Sequence, residues 1–129
     1  MNILILEDEL TIRKALRFAL EKAGHAVQEF ADPLKALDRA AEQRFDLMVV
    51  DLMLPHLPGY AFINRLNEQE RLSPTIVLTS HAEEARGLID QRQLGNIPLE
   101  IISKDLPFPD ILKKIEQFLN PLISTQTHH

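Results

Sequence analysis

Residues 46–60 read DLMVVDLMLPHLPGY, a stretch whose two halves obey different physics. Residues 47–50 form an apolar run without polar alternation, the pattern of a strand covered on both faces. The run ends on an acid, Asp51. Pro55 and Pro58-Gly59 punctuate the loop after it, and residues 60 to about 70 carry Ile63 and Leu66 at helical spacing. A buried strand, an acid at its carboxyl end and a helix after it make one βα unit.

The unit recurs in both directions. Asn2–Leu6 (NILIL) is another apolar run, and it stops at Glu7-Asp8-Glu9. Ile12, Ala15, Leu16, Ala19, Leu20 and Ala23 then recur at helical spacing, with Gly24 just past the end. Residues 25–30 make a modest strand. Asp32-Pro33 supplies an N-cap and a first-turn proline to a helix whose apolar stripe is Leu34, Leu37 and Ala41. Ser73-Pro74 breaks the third helix before a strand at Thr75–Thr79, and residues 82–94 are helical with Gly87 interrupting. A fifth strand covers 99–102. Pro109-Asp110 opens a last helix bearing Ile111, Leu112, Ile115, Phe118 and Leu119, expected to stop near Asn120-Pro121. The domain is then 1–121, and 122–129 reads as a C-terminal tail in which His128-His129 resembles a purification-tag remnant. Strands alternating with helices imply right-handed βαβ connections and a doubly wound parallel α/β sheet. Sites in such sheets form outside the carboxyl ends of the strands.

Composition sets the outer limits. The chain has 129 residues, which fits one domain, and 45% hydrophobic with 26% charged residues is ordinary globular composition. It has no cysteine, which excludes disulfides, thiolate metal sites and cysteine nucleophiles. Charge begins at Glu7, unlike a signal peptide, and no apolar run approaches the ~18 residues of a membrane span. With 14 Lys+Arg against 19 Asp+Glu the net charge is −5, a poor endowment for direct contact with nucleic acid. A cytoplasmic domain is expected.

The strand ends carry the chemistry. Glu7 and Asp8 come after the first strand, Asp51 after the third; Thr79 closes the fourth, and Lys104 lies just past the fifth. Carboxylates converging on one edge repel one another unless a cation sits among them. Oxygen ligands suit a hard ion such as Mg²⁺, Lys104 adds a compact positive charge, and the Thr79 hydroxyl can bond a phosphoryl oxygen. An aspartate beside a divalent ion can attack phosphorus to form a mixed anhydride. Taken singly, each residue also has an ordinary reading: acids at strand ends cap helices, a strand-end threonine reflects β propensity, and Lys104 is a surface charge. His81 reads as an exposed loop residue that could modulate access of hydrolytic water, and Glu83-Glu84 as a solvated helix face.

ILILEDE (3–9), DLMVVDLMLPHLPGY (46–60), TIVLTSHA (75–82) and IISKD (101–105), in that order and spacing, resemble the receiver domain of two-component response regulators over residues 1 to about 121. The resemblance implies a flavodoxin-like (βα)5 fold with strand order 2-1-3-4-5. It implies Asp51 as phosphoacceptor, Thr79 as switch hydroxyl and Lys104 as phosphoryl contact. Glu7, Asp8, Asp51 and the Met53 backbone carbonyl would hold Mg²⁺. The implied donor is a sensor histidine kinase or a histidine phosphotransfer protein. The output would be a downstream protein effector or an output domain outside this chain, reached through the helix 4–strand 5–helix 5 face. A monomer or a weak phosphorylation-dependent dimer is expected, without separate substrate turnover.

The chain departs from the usual receiver pattern in that region. Ile101 stands where receivers carry Tyr or Phe, Asp105 comes after Lys104 where proline is common, and Pro107 arrives two residues later. These departures motivate an alternative, a phosphorylation-independent pseudo-receiver. A haloacid-dehalogenase-type phosphatase would need a second acid two residues after the nucleophile, and Met53 stands there.

Overall fold

In the computed structural model, which describes residues 1–127, five parallel strands lie in the order β2-β1-β3-β4-β5. They are β1 (Asn2–Leu6), β2 (Ala26–Phe30), β3 (Leu47–Asp51), β4 (Thr75–Thr79) and β5 (Leu99–Ser103). The helices are α1 (Leu10–Lys22), α2 (Pro33–Glu42), α3 (Gly59–Glu68), α4 (Ala82–Leu88) and α5 (Phe108–Thr127). Residue alternation along each central strand splits the core in two. Leu4, Leu6, Met48, Val50 and Val77 face α2, α3 and α4, whereas Ile3, Ile5, Leu47, Val49, Ile76 and Leu78 face α1 and α5. Both faces being covered explains the unbroken apolar runs in β1 and β3. Each fully buried Leu or Ile side chain contributes roughly 1.5–3 kcal/mol. The register pairs Leu6 with Val50 and Val50 with Val77, so the strands end nearly level and the residues at their carboxyl ends meet at one edge.

Local signals set the element ends. Asp32 accepts a hydrogen bond from the Leu34 N–H at 2.9 Å, with Pro33 in the first helical turn. Gly24, just beyond the C-cap Ala23 of α1, adopts φ 97°. Three expectations from the sequence change. The buried face of α2 is Pro33, Ala36 and Ala40, while Leu34 and Ala41 are exposed and Leu37 is half-buried. Small residues let α2 approach the sheet closely, and the longer leucines fall at its margin. Residues 82–94 are not one helix: α4 ends at Leu88, Ile89 turns extended, and Asp90 caps a separate 3₁₀ turn, Gln91–Leu94. A glycine and a nearby β-branched residue weaken the helix there, and the Asp90 side chain offers the backbone a competing bond. Lastly, α5 does not stop at Asn120-Pro121 but runs on to Thr127 with Pro121 inside it. Proline costs one helical hydrogen bond, but Leu119 and Leu122 on either side of it pack on the core and hold the helix in place. His128 and His129, the expected tag remnant, lie outside the described residues.

A charge cluster ties α1 to the edge strand β2. Glu29, with its side chain only 10% exposed, meets Lys14 at 2.8 Å, Arg13 at 3.0 Å and Arg17 at 3.2 Å. Burial pushes the Glu29 carboxyl up, but the hydrogen bonds from Lys14, Arg13 and Arg17 outweigh it and bring its pKa down to about 2. A carboxyl whose folded pKa lies below its unfolded value stabilises the fold above the unfolded value. That stabilisation is lost as pH falls through the folded one. Glu29→Gln should therefore cost about 1–2 kcal/mol near neutral pH, the screened value for a partly exposed cluster. In urea unfolding, the gap between wild type and variant should shrink by about half or more between ~pH 6 and ~pH 3. An equal gap at both pH values would mean that the charge of Glu29 is not what stabilises.

Candidate functional site

The level ends of β1, β3, β4 and β5 bring Glu7, Asp51, Thr79 and Lys104 to one cleft. Its volume is about 160 Å³, and its lining is Asp8, Glu9, Asp51, Met53, Thr79, Ser80, His81 and Lys104. A larger groove between α1 and α5, about 390 Å³, is mostly apolar and far poorer in reactive groups. In the cleft, Lys104 Nζ lies 2.9 Å from Asp51 Oδ2 and 2.5 Å from Glu7 Oε1, with Glu9 farther out at 3.7 Å. Asp51 Oδ1 accepts from the Met53 N–H at 3.1 Å, which fixes the carboxylate plane and leaves Oδ2 toward the lysine. Thr79 is fully buried, and its Oγ1 accepts from the His81 N–H at 3.0 Å. The Lys104 N–H donates to the Thr79 carbonyl at 2.9 Å, so the β4 and β5 ends are locked together.

The electrostatics arise from one cation among several acids. Burial, hydrogen bonding to Asp51 and the Asp51 charge push the Glu7 carboxyl up to about 8, against the opposing pull of Lys104. For Lys104 burial disfavours the charge, yet the hydrogen bonds and charges of Glu7 and Asp51 prevail and raise its pKa. Glu7 is 2% exposed; its Oε1 lies against the lysine ammonium and its Oε2 accepts from the Glu9 N–H at 3.3 Å. Glu7, Asp8 and Asp51 each offer a carboxylate oxygen within 4.8 Å of the others. Three carboxylates that converge beside a single lysine, in an all-oxygen set, fit a hard divalent cation such as Mg²⁺.

All of the residues singled out from the sequence fall in or beside this cleft: Glu7, Asp8, Asp51, Met53, Thr79 and Lys104. His81 is exposed at its mouth, with Nδ1 3.5 Å from Glu84. Sequence reasoning missed three contributors. Glu9 approaches Lys104, Arg13 donates to the Glu7 carbonyl at 2.9 Å, and Gly59 packs against the Asp51 backbone. Only Gly59 left a sequence signal, and it read as a turn marker. Ile101 is half-buried against the core cluster under α4, an aliphatic contact where receivers usually place an aromatic ring.

Known proteins resemble this chain in sequence and in fold. A family model described as the response regulator receiver domain matches residues 3–116. The alkaline phosphatase synthesis transcriptional regulatory protein PhoP of Bacillus subtilis is 37% identical over 83 residues, 64% of this chain and 35% of that protein. The KDP operon transcriptional regulatory protein KdpE of Escherichia coli is 42% identical over 84 residues, 65% of this chain and 37% of that one. The chain thus spans about a third of the length of these relatives. Among solved structures, the chemotaxis response regulator CheY4 of Vibrio cholerae superposes with a TM-score of 0.77 at 25% identity, covering 92% of this chain and 98% of that one. The response regulator TrrA of Thermotoga maritima, solved in complex with Mg²⁺–BeF, shares the fold with a TM-score of 0.74 at 21% identity, covering 92% and 98%. Among the described residues no helix is long and apolar enough to cross a membrane. The family match runs through every strand end that lines the cleft, from Glu7 to Lys104, and on that basis the chain belongs to the response regulator receiver domains.

Proposed function

We propose that Asp51 accepts a phosphoryl group from a phosphohistidine donor, on a sensor histidine kinase or a histidine phosphotransfer protein, in a cytoplasmic signalling pathway. The observation that carries this reading is the Asp51 carboxylate held between the Met53 N–H and the Lys104 ammonium at the floor of an open cleft. An Asp51 oxygen attacks phosphorus, the phosphorus–nitrogen bond breaks, and the donor imidazole leaves with that electron pair. Lys104 meets the charge gathering on the phosphoryl oxygens. Glu7, Asp8, Asp51 and the Met53 carbonyl would hold Mg²⁺, which when bound offsets repulsion between the incoming phosphoryl group and the carboxylates. The Thr79 hydroxyl, now bonded to the His81 N–H, turns toward the acyl phosphate and draws the start of α4 with it. That shift biases the α4–β5–α5 face toward a protein effector or an output domain, as a change of population between two states. His81 at the cleft mouth governs how hydrolytic water reaches the acyl phosphate.

Incubation with a small phosphodonor and Mg²⁺, then intact mass measurement, should show one labile phosphoryl group per chain. No gain from any phosphodonor or kinase would favour the pseudo-receiver, an interaction module independent of phosphate. The half-buried aliphatic Ile101, with no ring to reorient, is the observation on that side. Lys104→Ala should slow phosphoryl uptake roughly 100-fold, as expected for loss of one charged donor to a developing oxyanion. It should also mute the chemical-shift changes of α4 amides on phosphorylation. Wild-type shifts in the phosphorylated variant would remove Lys104 from the transmission step.

A further inference from the structure

Arg13 sits in the first turns of α1, one helical turn beyond the acid pair, and its side chain is only 13% exposed. Its guanidinium is forked between two elements. Nε donates to Glu29 Oε1 on β2 at 3.0 Å, and Nη1 donates to the Glu7 carbonyl at 2.9 Å. The Glu7 N–H is held as well, donating to the Phe30 carbonyl at 3.0 Å. Both backbone groups of Glu7 are therefore fixed from β2 and α1, while its side chain reaches across to Lys104.

The Glu7 carbonyl shares a peptide plane with the Asp8 N–H, so the bond from Arg13 sets the direction in which Asp8 leaves the chain. Asp8 depends on that constraint more than its neighbours do. It is exposed, and among the described residues its carboxylate has no hydrogen-bond or ion-pair partner. Glu7 and Asp51 are each held by Lys104; Asp8 is placed by backbone alone. The Arg13 fork is in turn braced, because Lys14 and Arg17 crowd the same Glu29 carboxylate and keep it ionised in place.

The geometry points to Arg13 as the positioning residue of the cation site: anchored on Glu29, it holds the Glu7–Asp8 peptide so that the Asp8 carboxylate meets those of Glu7 and Asp51. The inference rests on the Mg²⁺ reading of the cleft. Groups of this kind, which orient ligands without touching the metal, typically contribute roughly 10–100-fold to metal affinity. Arg17 supplies an internal control. It shares Glu29 with Arg13 and also pairs with Glu21 at 3.0 Å, but among the described residues it makes no hydrogen bond or ion pair with Glu7.

The test is calorimetric titration of the unphosphorylated chain with Mg²⁺ at neutral pH, together with amide hydrogen exchange in the β1–α1 loop. Arg13→Ala should weaken Mg²⁺ binding by about 10-fold or more and accelerate exchange of the Glu7 and Glu9 amides, which donate to the Phe30 carbonyl and to Glu7 Oε2. Arg17→Ala, which loosens the same charge cluster, should leave Mg²⁺ affinity within about 2-fold of wild type, since the ligands stay placed. Should Arg13→Ala fail to fold, Arg13→Lys carries the test. It keeps a cation at Glu29 but lacks the planar second arm, and the same loss of affinity is expected. Wild-type Mg²⁺ affinity in folded Arg13→Ala or Arg13→Lys would overturn the positioning role. So would an equal loss in Arg17→Ala, which would reduce Arg13 to a member of a stabilising cluster. A wild-type chain that shows no Mg²⁺ response would instead remove the metal reading itself, and the inference with it.

Discussion

Asp51→Ala should lower phosphoryl uptake from one group per chain to none, the largest effect expected of any single change. No other acid in the cleft has the same surroundings. Asp51 has one oxygen on the Met53 N–H and the other 2.9 Å from Lys104, and it lines the cleft, which Glu7, held likewise by the Glu9 N–H and Lys104, does not. Glu7 has its charge suppressed by burial, its pKa pushed up to about 8, and lies 2% exposed beneath the lysine. Asp8 is exposed. The substitution should also weaken Mg²⁺ binding, because one of the three clustered carboxylates is gone. Stability should move the other way for Asp51→Asn, which keeps the oxygen that accepts from Met53. The cleft gathers Glu7, Asp8, Glu9 and Asp51 around a single lysine, so removing one negative charge relieves more repulsion than attraction. Without metal, the melting temperature of Asp51→Asn should equal or exceed that of wild type. Intact mass and thermal melts read the two halves separately. Phosphate gained by Asp51→Ala would move the acceptor to another side chain.

Gly59→Ala should be the most destabilising single methyl in the chain. A Cβ at Gly59 would lie 2.2 Å from the Asp51 carbonyl oxygen, 2.8 Å from Leu52 Cα and 2.9 Å from the Asp51 carbonyl carbon. All three are backbone atoms, so no side chain can swing aside. Gly59 is held in place by its own N–H, which donates to the Leu52 carbonyl at 2.8 Å. Its φ is not in the left-handed region, so the requirement is space rather than backbone freedom. Relief would require moving the start of α3 off the end of β3. Overpacking of this severity costs about 3 kcal/mol, which corresponds to a fall of roughly 10 °C in melting temperature for a domain of this size. The displacement falls on the Asp51 peptide, so phosphoryl uptake should fall with stability. A melt within about 2 °C of wild type would mean that the β3–α3 junction is looser than its packing implies. Gly87, where an added Cβ would meet nothing within 4 Å, is the control, and Gly87→Ala should not destabilise.

Asp51 and Gly59 mark how far the sequence could be read. Asp51 was legible because a fully buried run must end somewhere polar, and the end of a parallel strand is where that polar residue becomes useful. Glu7, Asp8, Thr79 and Lys104 were legible by the same logic, each standing at or just past the end of an apolar run. Gly59 was visible only as punctuation. Its reason for being glycine is a contact with residue 51 that exists once α3 has folded back on β3. Arg13 was equally hidden: at helical spacing it is one more cation on a polar face, and nothing local says that Glu29 and the Glu7 carbonyl converge on it.

The α2 stripe and the end of α5 show the same division. Leucines predict which helix is amphipathic, but close approach to the sheet favours the neighbouring small residues, and that turned the buried face to Pro33, Ala36 and Ala40. Pro121 predicts a helix end from local sterics, yet Leu119 and Leu122 pack on the core to either side of it and α5 continues. By itself, then, the sequence determined the order of elements, the parallel sheet and the row of reactive residues, because hydrophobic periodicity and strand ends are local properties of the chain. The tertiary structure alone decided which carboxyl is driven toward its neutral form, which arginine aims the acid pair and which glycine admits no methyl group. Those depend on burial and on distances between segments far apart in the chain, and they come into being only when the segments pack.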